Sequence, residues 1–100
     1  MAKKPVKDNQ RAHVYYSGRV QGVGFRYNAE ELALDLRLVG WVKNMPDGRV
    51  ELLCEGPKAK IEELFYRIQK SILGRHIKKA DTFWEKPTNE FTDFTVEFYL

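Results

Sequence analysis

The sequence is poor in the residues from which most catalytic sites are built. It has one cysteine, Cys54, and two histidines, His13 and His76. A single cysteine excludes an internal disulfide. A catalytic or structural metal needs three or four converging Cys, His, Asp or Glu ligands, and the two histidines show no ligand-like spacing. No metal is expected, and no Ser-His-Asp arrangement is indicated. Long apolar runs are missing as well: none approaches the ~18 residues that a membrane-spanning helix needs. The N-terminal Met1-Ala2-Lys3-Lys4-Pro5 has no apolar segment behind its lysines, which argues against a secretory leader. Together with the lone thiol this makes a reducing cytoplasm the expected compartment. Internal repeats and low-complexity blocks are absent.

What is there is an ordinary globular composition. Of 100 residues, 43% are hydrophobic and 31% charged, enough for one domain with its own core and too few for two. The net charge of +3 suits an anionic ligand but falls far short of the basic density of a dedicated nucleic-acid binder. Lys3, Lys4, Lys7 and Arg11 make the start of the chain basic, and no apolar periodicity accompanies them. Residues 1–11 are therefore read as a flexible tail and residues 12–100 as the folded domain. The basic stretch Lys58 to Lys79 and the acidic stretch Asp81 to Glu97 read as solvated faces.

Alternation and β-branched or aromatic content predict a strand over His13–Val20. A glycine-dense loop follows, with Gly18, Gly22 and Gly24. Phe25, Ala29, Leu32, Ala33 and Leu36 then recur at helical spacing, predicting a helix from Phe25 to Leu36. Val39–Asn44 and Arg49–Glu55 read as two strands joined by Met45-Pro46-Asp47-Gly48, in which proline presets φ and Asp-Gly tolerates the tight bend. Gly56-Pro57 opens a second helix with an apolar stripe of Ile61, Leu64, Phe65, Ile68 and Ile72, ending near Gly74. Ile77–Trp84 and Phe94–Leu100 are the remaining β segments. The order βαββαβ with one extra β segment predicts an α+β ferredoxin-like sandwich. In it, two helices cover one face of a four- to five-stranded, mainly antiparallel sheet. That fold hosts many functions.

The segment Gly18-Arg19-Val20-Gln21-Gly22-Val23-Gly24-Phe25-Arg26 is the most informative. Between a strand and a helix, glycines let the chain curl so that successive N–H groups converge. The helix start adds unpaired donors and positive potential. Arg26, in the first helical turn, offers a fork that grips phosphate through two parallel bonds. Together they describe a phosphate-sized anion site; the bland alternative is a tight turn with a surface arginine. Known phosphate loops do not fit. A dinucleotide fingerprint starting at Gly22 would need glycine at Tyr27, and no Gly-Lys pair followed by Ser or Thr exists. A cysteine-dependent phosphatase loop would need a thiolate where Val20 stands, while Cys54 reads as strand core. The loop can thus hold phosphate without supplying a strong acid, base or nucleophile. An intrinsically reactive substrate such as an acyl phosphate suits it, because a carboxylate leaves without protonation. Asn44, just before the turn, can hold a water through its amide oxygen and nitrogen; alone, it reads as turn chemistry.

These two segments together resemble the acylphosphatase family. Its first signature is matched by Gly18 to Arg26. Its second is matched by Gly40-Trp41-Val42-Lys43-Asn44, then Gly48-Arg49-Val50 and Gly56. The similarity runs from about Tyr15 to Ile68. It implies an enzyme that hydrolyses acyl phosphates to a carboxylate and inorganic phosphate without metal or cofactor. It also implies that the backbone N–H groups of Gln21, Gly22, Val23, Gly24, Phe25 and Arg26, with the Arg26 side chain, bind the phosphate. Asn44 would orient the attacking water. The implied partner is a small molecule, with no nucleic acid and no membrane, and a monomer is the default. The chain departs from the pattern at Tyr16, where an aliphatic residue is usual, and at Arg75, where proline is frequent. It departs also at Arg37, where glycine commonly ends the helix; a left-handed backbone there costs up to about 1 kcal/mol. Two rivals differ in class. An RNA-binding module would show aromatics on an inner strand, but Arg49–Glu55 has none, leaving only Tyr15, Tyr16 and Trp41 as a platform. A phosphate-sensing or accessory relative would have less need of Asn44.

Overall fold

The computed structural model describes residues 9–98; the first eight positions of the expected tail and the last two of the expected final strand lie outside them. The elements are β1 (Asn9–Gly18), α1 (Phe25–Asp35), β2 (Val39–Asn44), β3 (Val50–Pro57), α2 (Lys58–Lys70), a 3₁₀ turn (Ile72–His76), β4 (Ile77–Glu85) and β5 (Phe94–Glu97). The strands form one sheet in the order β4-β1-β3-β2-β5. β1 runs antiparallel to β3 and β4, β2 antiparallel to β3, and β5 parallel to β2. β1-α1-β2 and β3-α2-β4 are therefore two interleaved β-α-β units, the expected ferredoxin-like α+β sandwich, with β5 added at one edge.

Period-2 alternation decides which side of the sheet is covered. Along β1, Ala12, Val14 and Tyr16 are buried, and across the register they stand beside Cys54, Leu52 and Val50 of β3. Phe25, Ala29 and Ala33 of α1 and Ile61, Leu64 and Ile68 of α2 close over this face to form the core. Burying each of the larger side chains contributes about 1.5–3 kcal/mol.

Several boundaries differ from the sequence reading by a residue or two, the first strand ending at Gly18 rather than Val20, and three differences change the packing. β1 reaches back to Asn9, because Asn9, Gln10 and Arg11 pair with Pro57, Gly56 and Glu55; these three positions of the expected tail belong to the sheet. The second helix stops at Lys70 rather than near Gly74. Ser71 is extended, its hydroxyl donates to the Ile68 carbonyl at 2.7 Å, and it accepts from the Leu73 N–H at 3.1 Å. Ile72 consequently falls outside the helix stripe and is exposed, while Leu73 takes the core position. The last strand ends at Glu97, and Phe98 leaves the ladder.

Arg37 has φ 59°. The N–H of Leu38 donates to the Ala33 carbonyl at 2.9 Å and that of Arg37 to the Leu34 carbonyl at 3.0 Å, a Schellman closure of α1 that needs a left-handed residue at this point. The other face of the sheet carries an unusual anchor. Glu55, 1% exposed, accepts from the N–H groups of Thr88 at 2.9 Å and Asn89 at 3.0 Å, and Arg11 lies 3.5 Å away. One carboxylate thus ties the β4–β5 connection down onto β3.

Replacing Glu55 by Ala leaves two amides without their acceptor and takes one of two carboxylates from Arg11. It should lower unfolding stability by ~3 kcal/mol and release the Thr88 and Asn89 amides to fast hydrogen exchange. Urea titration and exchange measurements check this; retained protection at both amides would contradict the anchor. Arg37→Gly should raise stability by about 0.5–1 kcal/mol by relieving the left-handed strain, read from the urea midpoint at unchanged slope.

Candidate active site

Three strands that run in one direction, β1, β2 and β5, end at the same edge of the sheet. The residues that follow or finish them meet there. The loop after β1 leads into α1, Asn44 ends β2, and Glu97 ends β5. A hollow of about 200 Å³ opens at this edge. Its lining includes Gly22, Gly24, Arg26 and Tyr27 from the loop and first helical turn, and Asn44 from β2, over a floor of Val20 and Phe25. Arg26 and Asn44, far apart in sequence, are thus brought to one cavity. Gly22, Gly24 and Phe25 of the expected phosphate loop line it too; Gln21 and Val23 do not.

The loop is shaped by left-handed glycines. Gly22 has φ 77° and Gly24 φ 78°, values that L side chains rarely adopt. Gly24 caps α1 without a side-chain hydrogen bond to its free N–H groups. Its carbonyl instead receives the Asn28 N–H at 3.1 Å and the Asn28 side-chain amide at 2.8 Å. Among the described residues no protein acceptor takes the N–H groups from Gln21 to Arg26. Together with the N-terminus of α1 they leave a run of unspent donors. At its start the loop is held by the Arg19 N–H, which donates to the His76 carbonyl at 3.0 Å.

Arg26 is steered from the other end of the chain. One terminal nitrogen, Nη1, donates to the Glu97 carbonyl at 3.3 Å, and the guanidinium lies 4.9 Å from the Phe98 ring centre and 5.9 Å from that of Tyr27. Nothing in the residue letters signals this contact, because a main-chain carbonyl carries no residue identity. The Asn44 carboxamide makes no hydrogen bond to protein among the described residues. Beyond it the turn closes as expected: the Met45 N–H donates to the Arg49 carbonyl at 2.8 Å and the Gly48 N–H to the Met45 carbonyl at 3.1 Å. The Arg49 N–H also holds the Asp47 carboxyl below its usual range. Gln21 reaches across to the same turn, its side-chain amide donating to the carbonyls of Met45 at 2.8 Å and Arg49 at 2.9 Å.

The histidines are elsewhere. His13 stands on the uncovered sheet face between Glu51, at 2.5 Å, and Glu85, at 3.3 Å, and stacks on Tyr15. No group of three metal-ligating side chains occurs among the described residues. Tyr16 packs in the core against Phe25, whereas Tyr15 and Trp41 are covered by the cationic ends of Arg49 and Lys43. Cys54 is fully buried, and burial pushes its thiol up to about 12.

In this α+β sandwich a glycine loop, one arginine and one asparagine thus surround a single small hollow. Comparisons with known proteins give the family. A family model described as Acylphosphatase matches residues 12–96. The acylphosphatase of Roseiflexus sp. (strain RS-1) is 39% identical over 89 residues, covering 89% of this chain and 96% of that protein. That of Pyrobaculum islandicum is 37% identical over 90 residues, covering 89% and 95%. The crystal structure of acylphosphatase from Bacillus subtilis superposes with TM-score 0.82 at 31% identity, covering 88% and 98%. The chain belongs to the acylphosphatase family. The same fold recurs in full-length HypF, where it matches 12% of that chain with TM-score 0.81 at 23% identity, a likeness in fold alone.

With its thiol buried and raised, Cys54 should resist alkylation by iodoacetamide in native protein at pH 8 and react fully in denaturant. Mass spectrometry counts the adducts, and rapid native labelling would contradict the core assignment.

Proposed function

We propose that this protein hydrolyses acyl phosphates to a carboxylate and inorganic phosphate, using Arg26 and the loop to hold the phosphate and Asn44 to orient water. The observation that carries the reading is that Arg26, three residues of a loop whose N–H groups are unspent (Gly22, Gly24 and Phe25) and a carboxamide with no protein partner line one hollow. The phosphate oxygens accept from N–H groups of the loop residues that line the hollow, Gly22, Gly24, Phe25 and Arg26, and from Arg26 nitrogens not engaged by Glu97. These donors also stabilise charge as it moves onto the phosphoryl oxygens. Asn44 accepts from or donates to a water and sets it in line with phosphorus. Water oxygen bonds to phosphorus as the bond from phosphorus to the acyl oxygen breaks. The bonding electrons leave on the carboxylate, which needs no acid, and the phosphate takes the proton of the water. The chemistry therefore asks of the protein only placement and charge, which is what its residues there can supply.

The same reading has a monomer acting on a small molecule in the cytoplasm, apart from nucleic acid and membrane. Against an open nucleic-acid platform, the rings of Tyr15 and Trp41 lie under the cationic groups of Arg49 and Lys43.

Metal-free protein with chelator present should hydrolyse benzoyl phosphate. Arg26→Ala should lose phosphate affinity and most turnover. Asn44→Ala should keep phosphate affinity and lose turnover by about 10²-fold, the scale for one positioned polar group. Equal loss of phosphate binding in both variants would overturn the division of labour.

A further inference from the structure

Gln21 belongs to the anion loop yet does not line the hollow. Its carboxamide instead gives both hydrogens to the two ends of one turn, the Met45 carbonyl at 2.8 Å and the Arg49 carbonyl at 2.9 Å. Each of these carbonyls already accepts a main-chain N–H from within the turn, so Gln21 takes their second lone pairs and fills them. The bonds are half-buried, which makes them stronger than exposed ones and costly to leave unmade. Met45 is the residue directly after Asn44. A primary amide at Gln21 therefore fixes the peptide beside Asn44 relative to the loop that precedes Arg26. Among the described residues these are the only hydrogen bonds between loop and turn.

We infer that Gln21 is a positioning residue: its side chain sets the span between the phosphate loop and Asn44, and so the distance from the oriented water to phosphorus. This rests on the function proposed above. No other side chain in the loop makes such a contact among the described residues. Arg19 and Val23 have no hydrogen bond to the turn, and glycines have no side chain. A glutamate would face two carbonyls with like charge, and an asparagine is one methylene short of reaching both. An in-line attack is sensitive to such a span, since a 1 Å displacement of reacting groups costs on the order of 10²-fold in rate.

The test is Gln21→Met, which keeps length and volume but donates nothing, measured on benzoyl phosphate beside wild type, Asn44→Ala and the double variant. The expected result is a fall in kcat of ~10–100-fold with the inhibition constant of inorganic phosphate held within about threefold. In the Asn44→Ala background the same substitution should cost less than about twofold, because the span no longer positions anything. Gln21→Asn should fall between wild type and Gln21→Met; it also serves as the working variant should Gln21→Met fail to fold, as judged by its thermal transition. Additive losses in the double variant, an unchanged kcat, or a loss that falls on phosphate affinity would overturn the inference. Wild type without turnover would overturn the proposed function instead. Hydrogen exchange of the Met45 and Gly48 amides then reads the strut separately: both should lose protection in the Gln21 variant, and unchanged protection would dismiss it.

Discussion

The direction of three strands is the constraint on which the site depends. β3 is antiparallel to both β1 and β2, so those two must run the same way, and β5 joins β2 in parallel. Their C-terminal ends then share one edge of the sheet. No local property of the loop, of Asn44 or of Glu97 would bring them together; the strand order does. The helix-covered core supplies the rigidity that makes this meeting reproducible, with Phe25 serving both as a core side chain and as the first residue of α1. Arg26 follows it directly, so the packing of Phe25 against Tyr16 fixes where the arginine leaves the backbone.

The polarity of the site follows from what the fold leaves unpaired. A strand-to-helix loop with two left-handed glycines cannot satisfy its N–H groups internally, and the first turn of any helix leaves its own donors open. Elsewhere in the molecule such groups are answered locally. Ser71 serves the 3₁₀ turn, and Glu55 serves Thr88 and Asn89. At the hollow they are not, and the nearest carboxamide is also uncommitted. It is these unspent donors, rather than the charge of a protein that is only mildly basic, that support the phosphate site proposed there.

Much of this was legible in the sequence, for identifiable reasons. The core stripe of α1 repeats at helical spacing and its strands alternate, so element order and fold class followed. Glycine at Gly22 and Gly24, an arginine at the helix entry and an asparagine before a Pro-Asp-Gly turn are chemical choices visible as letters, and the structure brings them to one hollow. What was hidden depends on partners. Ile72 looked like a continuation of the α2 stripe because nothing in the letters announces that Ser71 turns its hydroxyl back on Ile68. Asn9 to Arg11 looked like tail because their polar side chains conceal a backbone paired with β3. The letters show Gln21 only as a loop N–H, since the acceptors of its side chain are main-chain carbonyls 24 and 28 residues away. Glu55 looked like one more strand carboxylate until the β4–β5 connection folded over it.

The contact between Arg26 and the end of β5 carries a thermodynamic consequence. β5 is four residues long and sits at the sheet edge beside one parallel neighbour, anchored by Phe94 in the core and with the Glu55 tether just ahead of it. Short edge segments of this kind open at a small fraction of the global unfolding free energy. If the guanidinium takes its pose from Glu97 and Phe98, every such opening also disperses the charge at the hollow. Linkage then runs both ways: an anion seated on Arg26 favours the docked strand by the same factor by which the docked strand favours the anion. On the proposed function, phosphate binding at the hollow and closure of the C-terminal edge would then be coupled.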